Sequence, residues 1–332
     1  MSQVEGHKAN VAIKEIKVGR VPPSTDEEKA VNNAWQAEGR ALEHISGLNH
    51  RNIIQRIAAI KRGKERYFMF EWADGGRLRD FWKDNPRPNL DSGFIKEIVM
   101  QLRELHNYEG SYRHGDLKPE NILRFKDATR VGVLKIAGME LVSTDLSYTS
   151  GTVRYGPPEV DPFRPSPLYD IWSMGCITLE FIVWLLYGYH DLKKFNNNVG
   201  WYRPYFKVGN DNVAEVHPVV RACMDHIFKD PECTGNGGNI AIRDLLDIVK
   251  TNLLVVHPPP LRASIGGNVA VTDTDSRPSP TYRPIGPTRA TASHFRKLLD
   301  DMIGKGKEDE RYWYTGTSRE DLKGPPSHRF RQ

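Results

Sequence analysis

A chain of 332 residues is too long for one small module and calls for a large two-lobed domain or a domain with appendages. Hydrophobic residues at 39% and charged residues at 27% suit a globular protein with a sizeable core, which excludes a disordered, collagen-like or membrane-embedded chain. The formal charge of +5 lies mostly after residue 256, where thirteen Lys or Arg face nine Asp or Glu, so the nearly neutral remainder has no basic stripe and a nucleic-acid partner is not expected.

In chain order, Met1–Lys17 has no apolar run of the signal-peptide kind, so secretion is not expected, and Asn10–Val18 reads as a strand. A helix over Val31–Ile45, turning about 100° per residue, places Val31, Trp35, Leu42 and Ile45 within an arc of roughly 80°, with Glu38 inside it. A carboxylate on an apolar face needs a cation. Lys14, at the end of the strand Val11-Ala12-Ile13, is the candidate, whereas Glu43 lies outside the arc and reads as a solvated charge. Ile57–Lys61 and Arg66–Trp72 read as a hairpin around Arg62-Gly63-Lys64.

From Leu78 helical signals take over, and Phe94–Tyr108 carries the amphipathic stripe Ile95, Ile98, Val99, Leu102, Leu105. Met174–Tyr189 is the longest apolar stretch. It contains Glu180 and falls short of the roughly 20 residues that cross a bilayer, so it reads as a buried helix and no membrane association is expected. Cys176, Cys223 and Cys233 make neither a C-x-x-C pair nor an even framework, which favours a reducing compartment, the cytoplasm or the nucleus. Pro258-Pro259-Pro260 opens residues 257–290, which read as a linker because proline removes amide donors from helix and strand alike. Beyond it come a short helix over Ala292–Ile303 and the aromatic run Tyr312-Trp313-Tyr314, placed on the core or on a partner. The division expected is a small β-rich part over 1–73, a larger helical part over 74–256, and a Pro-rich linker and tail over 257–332.

Chemistry concentrates in His114-Gly115-Asp116-Leu117-Lys118-Pro119-Glu120-Asn121-Ile122-Leu123. An aspartate can take a proton from a hydroxyl nucleophile, a lysine can neutralise a transferring phosphoryl group, and an asparagine can ligate magnesium. This segment resembles the catalytic loop of eukaryotic protein kinases, and Lys118 two residues after Asp116 is similar to the Ser/Thr class. Val11–Lys14 resembles the strand bearing the nucleotide lysine, Phe70-Glu71-Trp72-Ala73 a gatekeeper and hinge, Gly151-Thr152 to Pro157-Pro158-Glu159 the end of an activation segment, and Asp170–Gly175 the start of the buried central helix. The resemblance covers about residues 1–256, and the phrasing around Trp72–Gly76 and Leu179-Glu180-Phe181 is most similar to fungal kinase-like proteins.

The resemblance implies an α+β bilobal fold that uses ATP and Mg2+ and acts on or docks with a protein. Asp116 would be the catalytic base, Lys118 a phosphate contact and Asn121 a metal ligand. Lys14 would meet the α- and β-phosphates with Glu38 as its partner, Ala12 and Leu123 would sandwich adenine, and backbone groups of Glu71 and Ala73 would bond its edge. Asp170 would orient the loop backbone.

Three departures stand out. Gly138-Met139-Glu140-Leu141 replaces the family's Asp-Phe-Gly-Leu, so a hydrogen stands where a carboxylate should bind the metal, with Glu140 a poor substitute. Only ten residues precede Val11 and they hold no G-x-G-x-x-G to cover the phosphates, so the small β-rich lobe is expected to be incomplete, either truncated at its start or binding the nucleotide uncovered. Gly115 replaces the usual arginine. Together these point to an impaired enzyme, a pseudokinase or scaffold. The alternatives are an active atypical Ser/Thr kinase and a small-molecule phosphotransferase of the aminoglycoside or choline kinase kind, against which Lys118-Pro119-Glu120 and Pro157-Pro158-Glu159 argue.

Overall fold

A computed structural model of the chain describes residues 10–17, 26–46, 50–105, 114–138, 153–159, 166–211, 213–256, 288–319 and 322–326. Strand-forming alternation at the start gives β1 (Val11–Glu15), and charged and apolar residues at helical spacing give α1 (Glu27–Ser46). The hairpin follows as β2 (Arg56–Arg62) and β3 (Glu65–Glu71). These strands form an antiparallel sheet in the order β1-β3-β2, with Val11 opposite Glu71 and Lys14 opposite Phe68. One face of the sheet carries α1. Phe68 is fully buried there with Ile16 and Leu42, and Trp35 stacks on it at 5.9 Å. Arg66, wholly buried, donates to Asn32 Oδ1 (2.7 Å) and to the carbonyls of Gly63 and Glu65 (2.9 Å each), which ties the helix to the hairpin turn.

The second, larger lobe is helical. It runs through α2 (Leu78–Asp84), α3 (Ser92–Leu105), the two-stranded β4 (Ile122–Phe125) and β5 (Val133–Ile136), and α4 (Leu168–Val199). Then come the hairpin β6 (Phe206–Val208) and β7 (Ala214–Val216), α5 (Pro218–Ile227), the one-turn α6 (Pro231–Thr234), α7 (Ala241–Ile248) and α8 (Ala292–Glu308). The buried helix expected at Met174–Tyr189 is the middle of α4, which is broken at Gly188. Its most apolar 18-residue window is long enough to cross a membrane but is 94% buried inside the lobe, so protein takes the place that lipid would. Trp82 meets Phe181 edge-on at 5.0 Å, and the Trp184 indole donates to the carbonyls of Trp82 (3.1 Å) and Asn85 (2.9 Å). Rings that could slide in an apolar core are thereby fixed.

Of the two places expected for the aromatic run, the core or a partner, the tail takes the core. Residues 288–319 do not lie outside the lobe: Phe295, Leu299, Met302, Tyr312 and Trp313 are each 2% exposed or less and belong to the same cluster as α3 and α4. Arg289, with its side chain fully buried, chelates Glu159 and also donates to the carbonyls of Val255 (3.0 Å) and Leu168 (3.1 Å). Arg319 closes the wrap with paired 2.9 Å bonds to both oxygens of Asp230. A boundary at 256 therefore cuts through one core. Prolines mark only where regular backbone stops and say nothing about whether the chain beyond returns to the core. Residues 257–287, the bulk of the expected linker, lie outside the described residues.

Candidate functional site

One carboxylate holds the loop that carries the chemistry. Asp170, in the first turn of α4 and 1% exposed, accepts the amides of His114 (2.6 Å) and Gly115 (3.0 Å). His114 Nδ1 accepts the Asp116 amide at 3.2 Å, which leaves Nε2 to carry the proton and donate to the Ala137 carbonyl at 2.9 Å. Gly115 sits at φ 78°, a left-handed conformation that costs a residue with a Cβ about 1–2 kcal/mol. The glycine that displaces the usual arginine thus relaxes the loop.

On this frame Lys118 Nζ donates to Asp116 Oδ2 at 2.6 Å, and Asn121 Nδ2 donates to the same oxygen at 3.1 Å and to the Asp116 carbonyl at 2.8 Å. The three side chains converge because Pro119–Asn121 makes a single 3-10 turn, closed by the Asn121 amide on the Lys118 carbonyl. Asp116 and Lys118 remain 30% and 20% exposed, open to a reactant. Glu120 is taken elsewhere. It accepts from Arg79 Nε at 2.9 Å, and Arg79 also donates to the fully buried Glu180 (3.0 Å) and to Tyr155 (2.5 Å). Burial first, and then the charge of Glu180, push the Tyr155 and Tyr205 phenols far above their ordinary range, so both stay neutral donors to that carboxylate.

Between the lobes lies a cleft of about 330 Å³. Ala12 of β1 and Leu123 of β4 both line it, with Ile53, Phe70 and Ile136 supplying further apolar wall and Lys14, Glu38, Arg77 and Glu120 the charges. An apolar cleft with a few fixed polar groups suits a small organic ligand that has both apolar and charged parts. Glu71 and Ala73 are not among the lining residues. The Glu71 carboxylate pairs with Lys135 at 2.5 Å, which leaves its backbone groups out of the ion pair, and the Ala73 carbonyl accepts the Gly76 amide at 3.1 Å within the turn.

Lys14 and Glu38 meet at 2.7 Å, as the helical arc required. The pair is less buried than an interior pair: the Lys14 side chain is 40% exposed and that of Glu38 17%. Half-solvated pairs contribute about 1 kcal/mol or less. Lys14→Met should therefore lower stability by about that amount in urea unfolding, and a loss of 3 kcal/mol or more would mean that the carboxylate is left in a dry interior. Glu43 is 67% exposed beside Arg56, as a surface charge should be.

Position 138 decides the metal chemistry. Gly138 lines the cleft at φ 73°, and a Cβ built there would lie 3.2 Å from Asn121 Cγ and Oδ1. A carboxylate at 138 would thus stand next to the Asn121 amide, the pairing a divalent cation needs. Magnesium demands near-octahedral oxygen ligation, usually with one or two carboxylates, and Gly138 offers no side-chain oxygen. Among the described residues no cluster of three or more His, Cys, Asp or Glu gathers to replace it, and Glu140 lies outside them. The described residues fit a nucleotide and do not fit the metal.

Sequence reasoning missed Arg79 and Arg77. Glu180 in the middle of an apolar run carries the same signal as Glu38, an acid that needs a cation. The answering arginine lies 101 residues away, with nothing local to single it out.

The family model for the protein kinase domain matches residues 3–227. A probable myosin light chain kinase of Dictyostelium discoideum is 31% identical over 227 residues, 66% of this chain and 50% of that protein. The serine/threonine-protein kinase cds1 of Schizosaccharomyces pombe is 30% identical over 166 residues, 46% of this chain and 35% of that protein. Cyclin-dependent kinase-like 1 of Caenorhabditis elegans is 31% identical over 150 residues, 43% and 41% of the two chains. The matched region spans at most half of the length of each of these relatives.

Proposed function

Because the chain belongs to the protein kinase family, we propose that it is a nucleotide-binding, Ser/Thr-kinase-like signalling module whose phosphoryl transfer is impaired, with a protein as its partner or residual substrate. Ala12 and Leu123 would flank the adenine, Lys14, steadied by Glu38, would meet the phosphates, and Phe70 adds apolar wall. Asp116 is the group that would accept the hydroxyl proton, and Lys118, on its Oδ2, the group that would meet the transferred phosphoryl charge. Three buried free thiols support placing it in a reducing compartment.

The observation that carries the impaired reading is Gly138. Phosphoryl transfer rests on positioning and charge neutralisation, and magnesium, when bound, would supply part of that neutralising charge. Asn121 would offer it one side-chain ligand, and Gly138 offers none. A second reading, an active enzyme, draws support from the assembled Asp116–Lys118–Asn121 hydrogen bonds.

Thermal shift with ATP separates the two. At a concentration tenfold above Kd, ATP should stabilise the protein by about 1.4 kcal/mol, equally in EDTA and in magnesium. A stabilisation that appears only with magnesium would favour the active reading, with Glu140 or another group rebuilding the metal site.

A further inference from the structure

Four charged side chains line the cleft, and three of them are already neutralised from within the protein. Lys14 and Glu38 hold each other at 2.7 Å, and Glu120 is held by Arg79 at 2.9 Å. The fourth is Arg77. It is exposed, and among the described residues its guanidinium makes neither an ion pair nor a hydrogen bond.

Its backbone, in contrast, is firmly placed. Arg77 is bridged to Leu123 across the cleft wall, its carbonyl accepts the Phe81 amide at 2.9 Å, and the neighbouring Gly75 and Gly76 exchange hydrogen bonds with Arg124 at 3.0 and 2.8 Å. It occupies the N-cap position of α2, yet its side chain takes no part in capping. The residue thus combines a rigid anchor with an uncommitted cation on the wall of a cleft that suits a ligand with apolar and charged parts.

A nucleotide triphosphate brings three to four negative charges, which a cleft without a metal bridge must meet with its own cations. Lys14 is shared with Glu38, so much of its charge is already answered. We propose that Arg77 is a ligand-binding residue that takes up the phosphate charge of the nucleotide and so makes recognition independent of magnesium. The inference rests on the nucleotide cleft of the preceding section and extends it by naming the group that replaces the metal's charge. Guanidinium suits the task because its planar fork can bond two phosphate oxygens at once and it stays protonated at any working pH.

The test is a phosphate ladder. Affinities of adenosine, AMP, ADP and ATP are measured by isothermal titration calorimetry in EDTA, on the whole chain and on Arg77→Ala and Arg77→Lys. In the parent protein affinity should climb with phosphate number, and the climb should flatten at high salt. Arg77→Ala should lose about tenfold for ATP, the scale of one charge-assisted contact, with adenosine unchanged, and Arg77→Lys should recover part of the loss. Equal losses for adenosine and ATP would make Arg77 a structural residue and overturn the proposal. So would an unaltered ladder in Arg77→Ala, which leaves the nucleotide cleft itself standing. Absence of binding by all four ligands to the parent chain would sink the cleft and the proposal together.

Discussion

A chain ended after Val256 is expected to lose cooperative folding and to collect in the insoluble fraction. The deletion strips Phe295, Leu299, Met302, Tyr312 and Trp313 from the main core, all at most 2% exposed. Burying a large apolar side chain is worth about 1.5–3 kcal/mol, so five together approach 10 kcal/mol, against a total stability of about 5–15 kcal/mol for a domain. Glu159 also loses Arg289, its chelating cation, and the Val255 and Leu168 carbonyls lose their donors. Expression of residues 1–256 beside residues 1–326, followed by circular dichroism melting, checks this. A soluble truncated protein that melts cooperatively within a few degrees of the longer one would show α8 to be peripheral. Arg289→Ala in the full chain is the milder companion and should lower the melting temperature without abolishing the transition.

What the sequence made legible was local. The loop from His114 to Leu123 could be read because its functional atoms sit within ten residues and one 3-10 turn brings them together. The Lys14–Glu38 pair could be read because helix periodicity alone placed a carboxylate on an apolar arc, and the strand before it held one suitable lysine. Its half-exposed state could not be read. Periodicity gives direction around a helix axis, whereas exposure at the cleft depends on how the lobes face each other.

The long-range pairs were hidden for the same reason. Arg79 reaches Glu180 across 101 positions and Arg289 reaches Glu159 across 130, and neither arginine carries a local pattern that names its partner. The tail was divided from the core at 256 because a proline-rich stretch reads as a boundary, while the helix Ala292–Glu308 beyond it has an apolar face that finds α3 and α7. At the hinge, Glu71 and Ala73 occupy the expected segment, where the Glu71 carboxylate pairs with Lys135 and the Ala73 carbonyl accepts the Gly76 amide, while the backbone groups of Glu71 expected at the adenine edge take no part in that ion pair.

Radiolabel transfer from γ-labelled ATP to a basic protein such as histone should be near background for the parent chain and should rise in Gly138→Asp with Glu140→Gly. The geometry sets both the gain and its cost. The built Cβ at 138 points at the Asn121 amide from 3.2 Å, so the new carboxylate stands where a cation could be shared with Asn121 Oδ1. The backbone there is at φ 73°, a region aspartate tolerates better than most residues but at about 1 kcal/mol, so the repaired protein should melt a few degrees lower. Metal-dependent transfer should then depend on Asp116. Asp116→Asn keeps the size of the side chain and removes the proton acceptor, which should cost the repaired protein at least about 100-fold. Robust transfer by the parent chain, abolished by Asp116→Asn, would overturn the impaired reading and make Gly138 compatible with catalysis. Silence in the repaired protein would instead locate the defect in how phosphates are held, where the charge of Arg77 and the sharing of Lys14 with Glu38 leave a cleft better matched to retaining a nucleotide than to releasing its terminal phosphoryl group.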